Sequence, residues 1–264
     1  MTQTVYRFKS LRPLVWRTPH SIQIGIDEPR LIIDDIPDTA APLIQALRDG
    51  ISEEGVSILA KQLRLSPSVA TDIIRSCAPA FEPDPTPSPV TTTVLGNSRV
   101  SVALSGLLEQ WGAKASHTTS FPLPAHPGIV VLVGEYVADP SWNAHITHTS
   151  TGHLPVVFSD LSITAGPVIT PGVTPCLACL ELWHRDAEPE WLSVGSQLWS
   201  TPAPTATAQG AHHAAALCAL LLGLMGQPGL VAPSHGLVLS TRLDTGETTR
   251  RRVEFHPDCR CRGL

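Results

Sequence analysis

The sequence predicts an α/β protein led by a small α+β unit, and three observations carry that prediction. Residues 1–80 set two short alternating segments ahead of three compact helical ones. From Val90 onward, apolar strand-like runs alternate with helix-like runs, the pattern of a Rossmann-like sheet flanked by helices. Between them, residues 81–89 carry prolines on alternate positions from Pro83 to Pro89, which hold a chain extended as a semi-rigid spacer. The expected domains are therefore 1–80, with 81–89 as linker, and 90–264.

In the first unit, residues 21–27 (Ser-Ile-Gln-Ile-Gly-Ile-Asp) alternate as a half-buried strand does. A turn of Asp-Glu-Pro-Arg leads to a second strand over residues 31–34. The first helix should start at Asp38 and stop before Gly50. The second should start at Ser52, with Glu53 and Glu54 suiting its positive end. The third has Ser66 as N-cap and Pro67 at its first position, and runs to Cys77 with Val69, Ile73 and Ile74 inward. A hairpin plus three small helices reads as a winged-helix-like module. Its third helix offers only Arg75, beside Asp72, which is too poor in donors and charge for a DNA-reading helix.

In the second unit, residues 91–95 form a β-branched strand and Gly96-Asn97-Ser98-Arg99 a turn. Residues 100–112 have helical periodicity, and 115–120 give a second strand. Residues 128–133 are uninterruptedly apolar, as in a strand buried on both faces of a parallel sheet. A helix over 139–149 should follow, carrying His145 and His148 on one face, with no third ligand in reach. Residues 154–159 and 166–172 read as further strands, and a helix follows through Leu182, Trp183 and His184. Residues 201–208 form a Pro/Thr/Ala-rich loop. Residues 209–225 make an almost wholly apolar helix, which must be buried, and 237–243 with 249–255 make a terminal hairpin.

The whole chain has 264 residues, 42% hydrophobic and 16% charged, with a net charge of −5. That is ordinary for a folded protein, and the bulk charge argues against nucleic acid or an anionic membrane as partner. The run Arg250-Arg251-Arg252 is too short to change this. Residues 1–9 contain no apolar signal core. The longest apolar stretch, 214–225, falls short of the about 20 residues that a membrane span needs. A cytoplasmic location is expected, where thiols stay reduced.

Four cysteines carry the chemistry. Cys176 and Cys179 are separated by two residues, so both sulfurs can reach one ion; Cys259 and Cys261 supply a second tight pair. Together they make the Cys₄ set that structural zinc takes. Disulfides, a redox pair or free thiols are the alternatives, but the polar, proline-rich turns and reducing surroundings favour zinc. His256 is the rival ligand. Cys77 and Cys218 lie in apolar helical patterns and read as buried small hydrophobes.

The residues around these cysteines carry a resemblance. Residues 166–185 (Gly-Pro-Val-Ile-Thr-Pro-Gly-Val-Thr-Pro-Cys-Leu-Ala-Cys-Leu-Glu-Leu-Trp-His-Arg), then Pro189-Glu190-Trp191, then residues 256–261 (His-Pro-Asp-Cys-Arg-Cys), resemble the ThiF-like, ubiquitin-activating-enzyme-like partner proteins of azole-forming peptide-modification pathways. These are often described as bacteriocin-biosynthesis cyclodehydratase proteins, and the likeness is greatest to their short actinobacterial type. Residues 1–80 resemble the peptide-recognition element of such pathways. There the resemblance implies that a leader peptide adds as a strand at the edge near residues 31–34, against the helix face near residues 68–75. It also implies a precursor peptide or YcaO-type enzyme as partner, and a possible homodimer.

ThiF-type proteins adenylate a carboxylate with ATP, using a glycine-rich turn after the first strand and an acid after the second. Here only Gly96 survives; Ser98 and Ser101 replace the later glycines, and the stretch 116–121 holds no carboxylate. A Cβ at the second glycine position obstructs phosphate approach, so ATP is not expected, although Arg99 stands at a helix start where it could meet a phosphate. No nucleophile elbow is present, and His212-His213 reads as a polar helix start. The expected function is a zinc-stapled, non-catalytic protein that binds a precursor peptide or partner enzyme. The alternatives are an active adenylyltransferase and a structural dimerising module.

Overall fold

The first unit, residues 1–86, is built on Ile22, Ile24, Leu43, Ile44, Leu47 and Cys77, all nearly sealed from water. The computed structural model describes residues 4–10, 12–83, 89–139, 141–142, 145–146, 149–224 and 236–262. Strand β1 (Val5–Tyr6) is followed by β2 (Leu14–Thr18), β3 (Ser21–Ile24) and β4 (Leu31–Ile33), which form an antiparallel sheet in the order β2-β3-β4. Strand β2 corrects the expected two-stranded hairpin: its residues are half-buried then exposed, with no alternation to read. Strand β3 ends at Ile24 rather than Asp27 because Gly25 turns the chain at φ +91°.

The helical start signals are met by side chains, with one exception. A 3₁₀ turn over Asp38–Ala40 precedes helix α1 (Ala41–Asp49), and Asp38 caps neither; its carboxylate lies 3.1 Å from His20 Nδ1 instead. Gly50 ends α1 at φ +99°, donating its N–H to the Ala46 carbonyl. Strand β5 (Ile51–Ser52) pairs with β1 and leads into α2 (Glu53–Gln62), where Ser52 Oγ accepts the Gly55 N–H at 3.1 Å. Ser66 Oγ does the same for Val69 in α3 (Pro67–Phe81). Helix α3 outruns its expected end at Cys77 and carries Pro79 in its last turn, where the missing N–H leaves the Arg75 carbonyl without its intrahelical donor. Its inward stripe is Ala70, Ile73, Cys77 and Ala80, with Val69 and Ile74 half-buried beside it. Burial pushes the Cys77 thiol up to about 12. Phe81 is therefore helical rather than spacer, and residues 84–88 of the expected spacer lie outside the described residues.

The second unit, residues 87–264, is a mixed α/β structure on one seven-stranded sheet. In chain order its elements are β6 (Thr91–Leu95), α4 (Arg99–Gln110), β7 (Lys114–Thr118), β8 (Ile129–Glu135), β9 (His153–Phe158), β10 (Ser162–Ala165), α5 (Leu177–Ala187), α6 (Trp191–Gln197), α7 (Ala208–Leu222), β11 (Leu237–Arg242) and β12 (Thr248–Arg252). The sheet order is β12-β11-β10-β9-β8-β6-β7. Strands β7, β6, β8 and β9 are parallel; β9 to β12 are antiparallel. Strand–helix alternation thus describes one half only. Between β9 and β10 the chain turns in three residues, too few for a crossover helix.

Helices α4 and α7 share one face of the sheet, over Val94, Val131, Val156, Phe158, Ile163 and Leu239. In helix α7, Ala211, Ala214, Ala215 and Cys218 are fully enclosed, and the polar residues Gln209, His212 and His213 lie together near its start; burial raises the Cys218 thiol to about 12. Its Gly210 is obligatory, since a Cβ there would lie 1.9 Å from the Thr205 carbonyl oxygen. On the other face α5 packs Leu177 and Leu180 over Leu95, Leu132, Val238 and Val253.

Three expectations are corrected or bounded here. Residues 166–172 are a loop tied to β9 by the Ile169–His153 bridge and by the Gly166 N–H to the Pro155 carbonyl, and it forms no ladder because Pro167 and Pro171 cannot donate to one; the strand lies just before, at β10. Helix α6 had no sequence signal. Of the helix expected over 139–149, Ser141, Trp142, His145 and Ile146 are helical, while His148 lies outside the described residues, as does Met225. Among the described residues, no helix is long and apolar enough to cross a membrane.

Candidate metal centre

The chain enters α5 through a closed turn. Thr174 Oγ1 accepts the Thr170 N–H at 2.8 Å, and the Val173 and Thr174 N–H groups both reach the Thr170 carbonyl. Cys176 then takes the N-cap position without making a side-chain cap, so its sulfur stays available. One turn on, the Cys179 Sγ lies 4.0 Å away. The other pair arrives by way of the β11–β12 hairpin. Val253 donates to the Gly236 carbonyl, and the chain after it folds back under α5. Cys259 Sγ reaches 3.6 Å from Cys176 Sγ, and Cys261 Sγ 3.5 Å from Cys179 Sγ.

All four sulfurs lie within 4.8 Å of one another. Disulfide sulfurs sit about 2.05 Å apart, and all of these thiols are free. Four thiolates on one tetrahedral ion, with bonds of about 2.3 Å, stand about 3.8 Å apart. The observed spacing fits that arrangement, so the donor set, its number and its geometry suit a metal ion.

His256 stands beside this cluster and is not part of it. Its Nδ1 accepts the Asp258 N–H at 3.1 Å, so Nε2 carries the proton and donates to Asp186 at 2.9 Å. The Trp183 ring meets it edge-on at 4.7 Å, and the Trp183 indole N–H holds the Glu254 carbonyl at 2.9 Å. With both ring nitrogens committed, His256 is no rival ligand; it fixes the loop that carries Cys259, whose N–H bonds the His256 carbonyl. Its own N–H points at Cys179 Sγ, 3.5 Å away. Burial pushes the Cys176 thiol up to about 11 and raises Cys261 as well. Cys179 is also buried, but the His256 and Cys176 backbone N–H groups favour its thiolate and the net direction is down.

The expected nucleotide turn follows β6. Ser98 Oγ accepts the Ser101 N–H at 3.3 Å and caps α4. The fully buried Ser101 hydroxyl donates to the Ser98 carbonyl at 2.7 Å. His117, at the end of β7, bonds the Gly96 carbonyl at 3.0 Å and Ser101 Oγ at 3.1 Å through Nε2. Gly96 is retained for a packing reason: a Cβ there would lie 2.9 Å from Ser101 Cβ. Glu135, at the end of β8, accepts the Ala203 N–H at 2.7 Å, and Asp139 accepts from Ser141. The residues that replace a phosphate cradle thus bond to one another. The sequence did not reveal the part played by His117. Nor do His145 and the cysteine cluster meet: His145 stacks on Phe121 at 4.4 Å and bonds the Ser141 carbonyl.

No protein-family model and no curated protein matches this chain. Solved structures do. The heterocyclase TruD matches with a TM-score of 0.63 at 16% identity, over 99% of this chain and 43% of its own. E. coli MccB, solved with ATP, matches with a TM-score of 0.60 at 12% identity, over 98% of this chain and all of its own. A component of the E. coli microcin synthetase McbBCD complex with pro-MccB17 bound matches with a TM-score of 0.52 at 15% identity, over 99% of this chain and all of its own. At such identities the likeness is one of fold. The chain spans less than half the length of the heterocyclase chain.

Proposed function

We propose that this protein is a metal-clasped, non-catalytic member of a peptide-modifying system, which holds a precursor peptide or a YcaO-type partner enzyme. The carrying observation is the fold itself: 99% of the chain is covered both by a heterocyclase and by a component of a synthetase solved with a precursor bound. The ThiF-like and winged-helix-like identities of the two units, and domain limits at 1–80 and 90–264, belong to this reading. A homodimer belongs to it as well.

The first unit supplies the peptide site. Strand β4 is an edge of its sheet, and among the described residues no strand pairs with its outer side. Main-chain hydrogen bonds from an extended leader peptide would satisfy that edge, with α3 alongside. Hydrogen exchange tests this directly. On adding the leader of a candidate precursor, the amides of Leu31–Ile33 are expected to exchange more slowly; unchanged exchange with a peptide that binds would remove the edge from the proposal.

Zn²⁺ is the ion proposed for Cys176, Cys179, Cys259 and Cys261. Bound there, it would supply structural cross-linking rather than catalysis, since four protein thiolates leave no open position. Metal analysis of purified protein should return one zinc per chain. An adenylyltransferase is the competing reading, because MccB shares the fold and was solved with ATP. Against it stand the mutually bonded Ser98, Ser101 and His117. Pyrophosphate exchange with candidate peptides separates the two readings.

A further inference from the structure

Between α5, α6 and the segment that follows β8, the surface holds a trough of about 550 Å³. Two close approaches form it. Glu181 accepts the Trp191 indole N–H at 2.8 Å, which ties α6 to α5. Gly195 is buried in α6, and a Cβ there would stand 3.3 Å from Val137 Cγ1, so the glycine lets α6 close on that segment. The trough is walled by Leu177, Leu182, Trp191, Leu192 and Trp199. Leu192 is 69% exposed and Trp199 48% exposed. Large apolar groups gathered in one open hollow mark a surface that a partner covers, and tryptophans are common anchors of such contacts.

The charge of the trough selects the partner. Its charged lining residues are Asp139 and Glu181, and no Lys, Arg or His lines it. Glu181 is met by the neutral Trp191 N–H, and Asp139 by the Ser141 N–H and hydroxyl. A hydrogen bond from a neutral donor leaves the charge of a carboxylate in place, and among the described residues neither acid forms an ion pair. Glu188 and Glu190, exposed at the turn from α5 to α6, add charge of the same sign. Arg251 borders an adjoining hollow that Glu181 also lines, but it is exposed on β12 and does not pair with Glu181.

A Lys or Arg side chain suits this lining along its whole length. Its methylene stem lies against apolar surface while its head reaches a carboxylate, and a neighbouring indole adds a cation–π attraction. A hollow of about 550 Å³ has the size of a site for a ligand of many atoms, so the cation must arrive with apolar neighbours. A second copy of this chain is disfavoured as the occupant, because a two-fold contact through this face would bring the acids of both copies onto one interface.

We infer that this trough docks a segment of a partner protein in which a Lys or Arg is flanked by apolar side chains, the cation meeting Glu181 beside Trp191 and the apolar neighbours covering Leu192 and Trp199. The trough is separate from the β4 edge and from the four sulfurs, so the inference goes beyond the leader-binding reading and survives if that reading fails.

Titration calorimetry of the full chain tests it, using the probe acetyl-Leu-Phe-Lys-Leu-Phe-amide. The expected result is measurable binding, about fivefold weaker when the Lys of the probe is Gln, because an ion pair and a cation–π contact are lost. Glu181→Gln keeps an oxygen for the Trp191 N–H and removes only the charge. It should weaken binding of the Lys probe by a similar factor and leave the Gln probe unaffected, whereas Glu109→Gln, on α4 across the sheet, should change neither. Leu192→Ser, at an exposed position where a matching melting curve shows that the variant folds, should weaken both probes. Failure of the Lys probe to bind, equal affinity for Lys, Gln and Glu probes, or indifference to Glu181→Gln or to Leu192→Ser would each overturn the inference. A probe that slows exchange at Leu31–Ile33 rather than at Trp191–Gln197 would belong to the β4 edge and also overturn it. Light scattering in which Leu192→Asp dissociates a dimer would give the trough to a second copy, with the same consequence.

Discussion

The cysteine cluster and the turn after β6 are the two places where the sequence raised the question of a ligand, and they bond in opposite ways. In the cluster, four sulfurs converge and none is used up by a neighbour as a cap or a disulfide. In the turn, Ser98, Ser101, Gly96 and His117 satisfy one another, and Glu135 and Asp139 are spent on nearby N–H groups. The lesson is that a site is recognised by donors left over after the fold has been satisfied.

The largest way to break this comparison is to empty the cluster. Tying positions 82 residues apart removes about 4–5 kcal/mol of unfolded-chain entropy in the cross-link model. Cys259→Ser, or a strong chelator, should therefore lower the thermal midpoint of residues 87–264 sharply and release metal in the same step. A chelated protein that melts unchanged would show the sulfurs to be bystanders.

Next in size is His256, which is 3% exposed and bonded at both ring nitrogens. His256→Phe should cost about 1–3 kcal/mol by stranding the Asp258 N–H and should weaken metal retention, read by competition with a chromogenic chelator. Retention equal to the parent would mean that the loop is held without it.

The turn sharpens the contrast from the other side. Ser98→Ala should cost about 1 kcal/mol in urea unfolding, as loss of an N-cap does, and should leave ATP calorimetry flat before and after. Heat of ATP binding that Ser98→Ala abolishes would move Ser98 from cap to ligand.

The smallest expected effect is one of pH. The hydrogen bond from His256, with Arg185 next, holds the exposed Asp186 carboxyl below its ordinary value. A carboxyl with a depressed folded pKa stabilises the fold above its unfolded value, about 3.9, and loses that contribution as pH falls through the folded one. Asp186→Asn should flatten a stability profile slightly at the acid end only.

The cluster was legible in the sequence because its ligands come as two tight pairs, each read without knowing the fold. The caps Ser52 and Ser66 were legible for the same local reason. Strand β2 was not: Leu14-Val15-Trp16-Arg17-Thr18 shows no period. Helix α6 is seven residues with a glycine and two serines, poor helix formers that tertiary contacts hold in place. Residues 166–172 misled because Val168, Ile169 and Thr170 suit a strand while Pro167 and Pro171 forbid its ladder. Of the antiparallel half, the terminal hairpin was read and is seen as β11 and β12, whereas β10 beside β9 and β11 was hidden because strand content says little about direction. The single sign of charge in the trough between α5 and α6 lay beyond sequence altogether, since it depends on which side chains the fold gathers there.

The separation of the two cysteine pairs also sets a clock. During synthesis at about 5–20 residues per second, Cys176 and Cys179 precede Cys261 by roughly 4–16 seconds. For that interval the nascent chain carries half a ligand set, two thiols free to meet an oxidant, a chaperone or the wrong metal. Sheet strands β6 to β10 are already made by then, whereas β11 and β12 are not. Capture of an ion by the four sulfurs would thus be a late event, coincident with closure of the sheet edge, and a ribosome stalled between the two pairs would present a thiol pair that alkylating reagents can count.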